Sequence, residues 1–314
     1  MPVPFFRKLL PQTPVAILAA AFLSAAFTPA CLAQTPPSSP AEADALVRRA
    51  VGERLAEDAN HRPLRYLFHK QDDRHDILQD IIETSQGDVA LIVASNGHLL
   101  GPAARQDQIN RLNTLAANPA MQQHRRKHEQ EDQARVDKLL RLLPDAFLYR
   151  YVGTDRCAVT STPDVEIPGE PAPSSAPEPA LTCWHLTFTP NPNWNPPDFE
   201  SQILHGMAGD IWMEPSQDRL VRLSAHLVTS VNFGWGILGR LDKGGTVFLE
   251  QSYVDGGEWE LTRMKLNLAG KALMVKPLAF HISDEMARFS AVPPSLDYRQ
   301  AIRMLLASQP PAAK

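Results

Sequence analysis

The chain has 314 residues, 44% of them hydrophobic and 21% charged, with a formal net charge of -4. That length and apolar content allow a substantial core, in one large or two modest domains. A mildly acidic chain lacks the basic face that phosphates demand, which argues against nucleic acid as a partner.

Arg7 and Lys8 precede an apolar run from Val15 to Phe27, and Cys31, Leu32 and Ala33 then lead into Gln34. This order of charged, apolar and small residues predicts a secretory signal peptide over residues 1–33, cleaved after Ala33. The run is shorter than the ~20 residues of a membrane-spanning helix, and Pro29 breaks it. Acylation of Cys31 as a lipoprotein cysteine is a minor alternative, although Thr28 and Pro29 fit such a site poorly. Cleavage removes Arg7 and Lys8 and takes the net charge from -4 to -6. No later stretch is apolar enough to span a membrane, so the mature chain is expected to be periplasmic or secreted.

Residues 34–39 read as a linker and 40–308 as one domain, with a tail over 309–314. Ser39-Pro40-Ala41-Glu42 is a capping box with proline at the first helical position, and Leu46, Val47, Ala50, Val51 and Leu55 share one face of the helix it opens. Leu64, Tyr66 and Phe68 then alternate with Arg65, Leu67 and His69, and Val89 to Ala94 follow a Gln86-Gly87-Asp88 turn, which predicts two strands. A further strand is expected around Ile77 to Ile82, where apolar residues come in pairs. A helical insertion follows. Pro102 opens a helix with Ile109, Leu112 and Leu115 inward, and Asn118-Pro119 opens a second that ends at Leu143, before Pro144. Its stretch from Gln122 to Gln133 is polar on all sides and is expected to project into solvent.

Cys157 and Cys183, the two cysteines left after cleavage, flank a Pro-, Ser- and Glu-rich loop over 161–181. Phe147, Tyr149 and Tyr151 alternate before it, and Trp184, Leu186 and Phe188 after it. This pattern predicts a β-hairpin with a long disordered tip, tied at its base by a Cys157–Cys183 disulfide. Two unpaired buried thiols are the alternative.

In the C-terminal half, Asp198 caps a short helix carrying Phe199, Ile203, Leu204 and Met207. Val221, Leu223, Ala225 and Leu227 alternate with Arg222, Ser224 and His226, a half-buried strand by its period of two. Val247 to Val254 and Trp259 to Leu268 flank Asp255-Gly256-Gly257, a hairpin composition in which Met264, Leu266 and Leu268 face away from Arg263, Lys265 and Asn267. Leu296, Tyr298, Ile302, Leu305 and Leu306 predict a last helix.

Chemical motifs fail specific checks. Gly234-Trp235-Gly236-Ile237-Leu238-Gly239 matches G-x-G-x-x-G, but a dinucleotide fingerprint stands between a strand and a helix, and here Lys243-Gly244-Gly245 and a strand follow. His124 and His128 share a helix face, yet Arg125, Arg126 and Lys127 place three cations beside any metal they would hold. There is no Gly-x-Ser-x-Gly elbow. No catalytic residue, metal ligand or cofactor is assigned, and an enzyme with an unrecognised site remains a secondary alternative. What does stand out is the glycine-interleaved run from Val231 to Gly239. Its Phe233, Trp235, Ile237 and Leu238 form either a buried crossover or a lid that touches an apolar ligand.

The order of signal peptide, N-terminal helix, antiparallel strands, helical insertion and long strands resembles the LolA/LolB-like periplasmic lipoprotein carriers, in which a curved sheet wraps helices around an apolar cavity. The phrases Asn96-Gly97-His98-Leu99-Leu100, Leu143-Pro144-Asp145-Ala146-Phe147 and Phe233-Gly234-Trp235-Gly236-Ile237-Leu238-Gly239 are similar to those of an uncharacterised set of exported bacterial proteins, a likeness that implies no activity. The expected fold is α+β: a curved antiparallel sheet, or half-barrel, with helices on its concave side and a helical insertion. The expected function is non-catalytic binding or transport of an apolar ligand, a lipid or lipid-modified protein, in the cell envelope. Trp212, Trp259 and Met264 join Phe233, Trp235, Ile237 and Leu238 as expected ligand contacts. The alternative is an envelope interaction module without a cavity, which binds another protein through its polar helix or Pro-rich loop.

Overall fold

Ser39 starts the first helix by accepting a hydrogen bond from the Glu42 amide at 3.3 Å, and α1 runs Pro40–Asn60. The computed structural model describes residues 35–170, 181–198, 200–233, 239–255, 257–272 and 276–308. The expected signal peptide lies outside these residues, as do the prolines of 171–180 and the stretch Gly234 to Leu238. The described residues pack as one unit.

After α1 come β1 (Leu64–Gln71), β2 (Asp76–Ile82), β3 (Val89–Ser95) and the two-residue β4 (His98–Leu99). The helical insertion is α2 (Pro102–Ala117) and α3 (Pro119–Ala146), the latter capped by Asn118, whose side chain accepts from the Met121 amide. The chain continues with β5 (Phe147–Cys157), β6 (Leu181–Pro190), a 3-10 helix (Glu200–Gly206), β7 (Met207–Glu214) and β8 (Arg219–Leu227). It finishes with β9 (Val231–Phe233), β10 (Gly239–Leu241), β11 (Thr246–Val254), β12 (Glu258–Ala272), β13 (Lys276–Ala291) and α4 (Tyr298–Ala307).

Pro144 does not end α3, which continues to Ala146. The Tyr149 hydroxyl donates to the Leu143 carbonyl at 3.0 Å, so a neighbouring strand supplies a donor that the helix end lacks.

All thirteen strands belong to one antiparallel sheet, ordered β4-β3-β2-β1-β13-β12-β11-β8-β7-β6-β5, with β10 and β9 attached beside β12. Among the described residues the sheet does not close, and the expected α+β class with an antiparallel sheet is what the chain adopts. The N-terminal strands join the C-terminal ones through β1 and β13, whose register runs from Leu64↔Ala291 to Gln71↔Ser283. Register shifts near Arg65, Leu78, Tyr151, Trp212 and Glu250 mark bulges, each of which bends and twists its strand.

The register separates the two faces. One cross-strand row reads His69, Glu285, Arg263, Glu250, Arg222, Trp212 and His185. Leu67 and Ala287 stand two residues from His69 and Glu285 on that same face. There they join the core packed by α2 and α4, with Leu91, Leu112, Tyr298 and Ile302. On the opposite face, Leu186, Ile211 and Leu223 lie in the larger core, packed by Leu46, Val47 and Ala50 of α1 and Leu143 of α3. The helices are thus divided between the two faces. Leu67 sits in sequence among the polar residues of β1 because both faces of that strand are covered.

The hairpin loop departs from expectation. Cys157 and Cys183 do sit at disulfide distance, with Cα atoms 6.0 Å apart. The following residues, however, are not a free tip. The Val159 carbonyl accepts from the Tyr253 amide at 2.6 Å, the Ser161 carbonyl accepts from Ser252, and Glu170 pairs with Arg288 of β13. Val165, only 2% exposed, enters the α2–α4 core. Residues 158–170 therefore strap the sheet from β5 to β13. Two apolar side chains, Val165 and Ile167, anchor a segment whose composition alone predicts disorder.

Candidate functional site

An apolar cavity lies where α1 and the end of α3 meet β5 to β8. The periodicity of α1 turns Val47, Ala50 and Val51 toward it, and α3 adds Leu140 and Leu143. Phe147, Phe188, Ile211, Met213 and Leu223 form the floor because the sheet's period of two turns them to this face. Its volume is about 60 Å³. Tyr149 lines it as well, and burial holds its phenol neutral by pushing its pKa well up.

The cleft continues as a strip. Leu186, Ile211, Leu223, Leu249 and Met264 are directly opposed across five strands, and Val247, Leu266 and Ile282 form part of the neighbouring row. From Leu223 onward these side chains are half-buried, with Leu223, Val247 and Leu266 against the edge of the larger core. Beyond Met264 the row meets Asp284, opposite Lys70. Burial raises the Asp284 carboxyl above its ordinary range, and its Oδ1 has no hydrogen-bond partner among the described residues.

Among the described residues two charged side chains line the cleft, and both are arginines. Arg54 of α1 donates to the Trp259 carbonyl at 2.8 Å. Arg219, at the start of β8, is 8% exposed and forms an ion pair through Nη2 with Glu57 of α1. Sequence reasoning missed both, since a charged residue at a strand start or in a helix carries no pattern that distinguishes a cavity lining from a wet surface.

The expected ligand contacts separate. Met264 lies on the strip. Trp212 points to the other face, where its ring stacks on His185 at 4.7 Å, lies under the Arg222 guanidinium at 5.4 Å, and donates Nε1 to Asp155. Arg222 continues to Glu250, Glu250 to Arg263 and Arg263 to Glu285, which makes a ladder of charges along that row. Trp259 is 5% exposed, clusters with Cys157, Cys183 and Val221, and donates to Gln217. Neither tryptophan lines the cleft, because strand register rather than residue type decides the face. Trp235, Ile237 and Leu238 lie outside the described residues, as does the side chain of Phe233. The flanking strands β9 and β10 pair with each other, Phe233 opposite Gly239.

A cavity of about 290 Å³ lies under the strap, but its charges are matched, Arg65 with Asp80 and Arg288 with Glu170. At the β2–β3 turn, burial aided by Glu83 and Glu129 pushes the Asp88 carboxyl up to about 7. Close by, a hydrogen bond to Glu83 pushes the His61 ring up to about 9. Arg125 donates to the Asp88 carbonyl and Glu129 accepts from the Asp88 amide, so this cluster fastens α3 to the sheet. Gly87 has φ +117°, and a Cβ there would strike Glu129 and the Tyr298 hydroxyl. His124 and His128 approach to 3.3 Å, yet no group of metal-ligating side chains occurs among the described residues. Comparison with protein-family models, curated proteins and solved structures finds no match for this chain.

Proposed function

We propose that the protein is a non-catalytic carrier or binder of an apolar chain, a lipid or the lipid part of a modified protein, acting in the cell envelope after export. The observation that supports this reading is the cleft between α1 and the sheet, which opens on one face into the half-buried strip from Leu223 through Leu249 to Met264. Contiguous apolar surface that stays partly accessible marks a ligand or partner contact.

A cavity of about 60 Å³ does not hold an acyl chain, so loading requires α1 to move away from β5 and β8. That movement turns Val47 and Ala50 from the sheet to the ligand, and the alkyl chain restores the apolar burial that the helix gives up. The same reading retains the likeness to lipoprotein carriers as a proposal, with the strip in the role of their apolar cavity.

The test is direct. Protein purified from its native host is extracted with organic solvent, and the extract is examined by mass spectrometry beside that of a Leu223→Asp, Leu249→Asp variant. A lipid present at stoichiometric amounts in the first and depleted in the second is the expected result. Equal, trace lipid in both would remove the carrier reading.

A further inference from the structure

Arg219 sets the chemistry of the cleft more narrowly than its apolar walls do. It is 8% exposed, it lines the cavity, and its Nε–H is buried with no hydrogen-bond acceptor among the described residues. Its Nη2 pairs with Glu57 of α1. A buried charged donor without an acceptor is costly, and a guanidinium edge matches a carboxylate in both charge and shape. The other charged lining residue, Arg54, is also cationic, and no aspartate or glutamate is among the lining residues. The carboxyl of Asp284 lies beyond Met264, three strands and ~14 Å from β8 at the usual spacing of ~4.8 Å. A neutral apolar ligand leaves the Arg219 Nε–H as it stands, whereas a ligand ending in an anionic oxygen satisfies it.

We infer that the cleft takes a linear alkyl chain that ends in a carboxylate, with the carboxylate on Arg219 and the chain along Val47, Ile211 and Leu223 toward Met264. This rests on the apolar-chain reading above and adds the headgroup to it. The chain is the part of the ligand that α1 must lift to admit, and the carboxylate is the part that decides which chains stay. Glu57 competes for the same guanidinium, so its charge tunes the affinity.

The experiment compares dodecanoate with dodecan-1-ol, two ligands of equal chain length that differ in headgroup, by isothermal titration calorimetry on the mature chain at pH 8. Dodecanoate is expected to bind at least tenfold more tightly. Arg219→Met should abolish that preference, so that the two ligands bind with equal affinity. Glu57→Gln, which keeps a hydrogen-bond acceptor and removes the competing charge, should widen the preference for dodecanoate over the alcohol at least threefold. Equal binding of the two ligands by the native chain overturns the headgroup inference while sparing the apolar cleft, as does a preference that persists in folded Arg219→Met. Where Arg219→Met does not fold, an unchanged preference in Glu57→Gln overturns it. If neither ligand binds, the apolar-chain reading itself falls and takes the inference with it.

Discussion

Arg219 of β8 and Glu57 of α1, 162 residues apart, form an ion pair that ties the roof of the apolar cleft to its floor. Arg219 is almost fully buried and the Glu57 side chain 29% exposed, so neither charge is well hydrated if the other is removed. Glu57→Ala should therefore cost about 2–4 kcal/mol, at or below the range for breaking a fully buried pair. Replacing both residues with methionine should recover most of that loss. Urea unfolding of the two variants measures the difference, and a double variant no more stable than Glu57→Ala would contradict it.

Val165 anchors the strap in the α2–α4 core, far from where the Pro-rich composition predicts any packing. Val165→Ala removes two buried methyl groups and should lower stability by about 2 kcal/mol. Excising 163–167 should cost more, because Ile167 leaves as well. Chemical denaturation of both variants measures these losses. Native stability in the excised form would mean that the strap is a passive covering.

The two cysteines, 26 residues apart, close the base of the hairpin, and Cys183 is fully buried. Replacing both with alanine should destabilise the chain by about 3–4 kcal/mol. In the native chain, denatured without reductant, neither thiol should react with iodoacetamide. A mass increase corresponding to two labels would show free thiols.

The Asp88 cluster makes stability depend on pH. Asp88 has its pKa raised by burial from 3.8 to about 7, so between those values the folded chain holds a proton that the unfolded chain releases. Its contribution is complete below about pH 3.8 and is lost as the pH rises to about 7. His61, raised from 6.5 to about 9, also favours the folded state at low pH and loses that contribution between those values. Stability should thus fall from pH 5 to pH 8, with Asp88 accounting for roughly 2–4 kcal/mol. Asp88→Asn should flatten the decline in urea midpoint over that window while keeping the part due to His61. An unchanged slope would place the proton elsewhere.

The sequence by itself determined the elements whose signal is local. Ser39 and Asn118 cap their helices as the residue types require, and Asp198 caps the short helix through the Ser201 amide. The alternation survives where no bulge interrupts it: Ala225 and Leu227 of β8 and Leu268 of β12 are buried, while Ser224, His226, Lys265 and Asn267 between them are exposed, but Val221 joins a different core from Ala225 and Leu227. The hairpin of β5 and β6 and its cysteine pair were equally legible. The tertiary structure decided the rest. Long β13 shows no alternation, because Ala287 enters one core and Phe289 another, and Arg288 interrupts the register at φ +57°. Trp212 and Met264 are both large and apolar, yet register across four strands sends one to the charge ladder and the other to the strip. Val165 lies in a segment too polar to fold alone, and a slot made by distant helices orders it. Arg219 reads as one more strand-end cation until α1 is laid over it, because burial and hydrogen-bond satisfaction belong to the assembled chain and to no stretch of sequence.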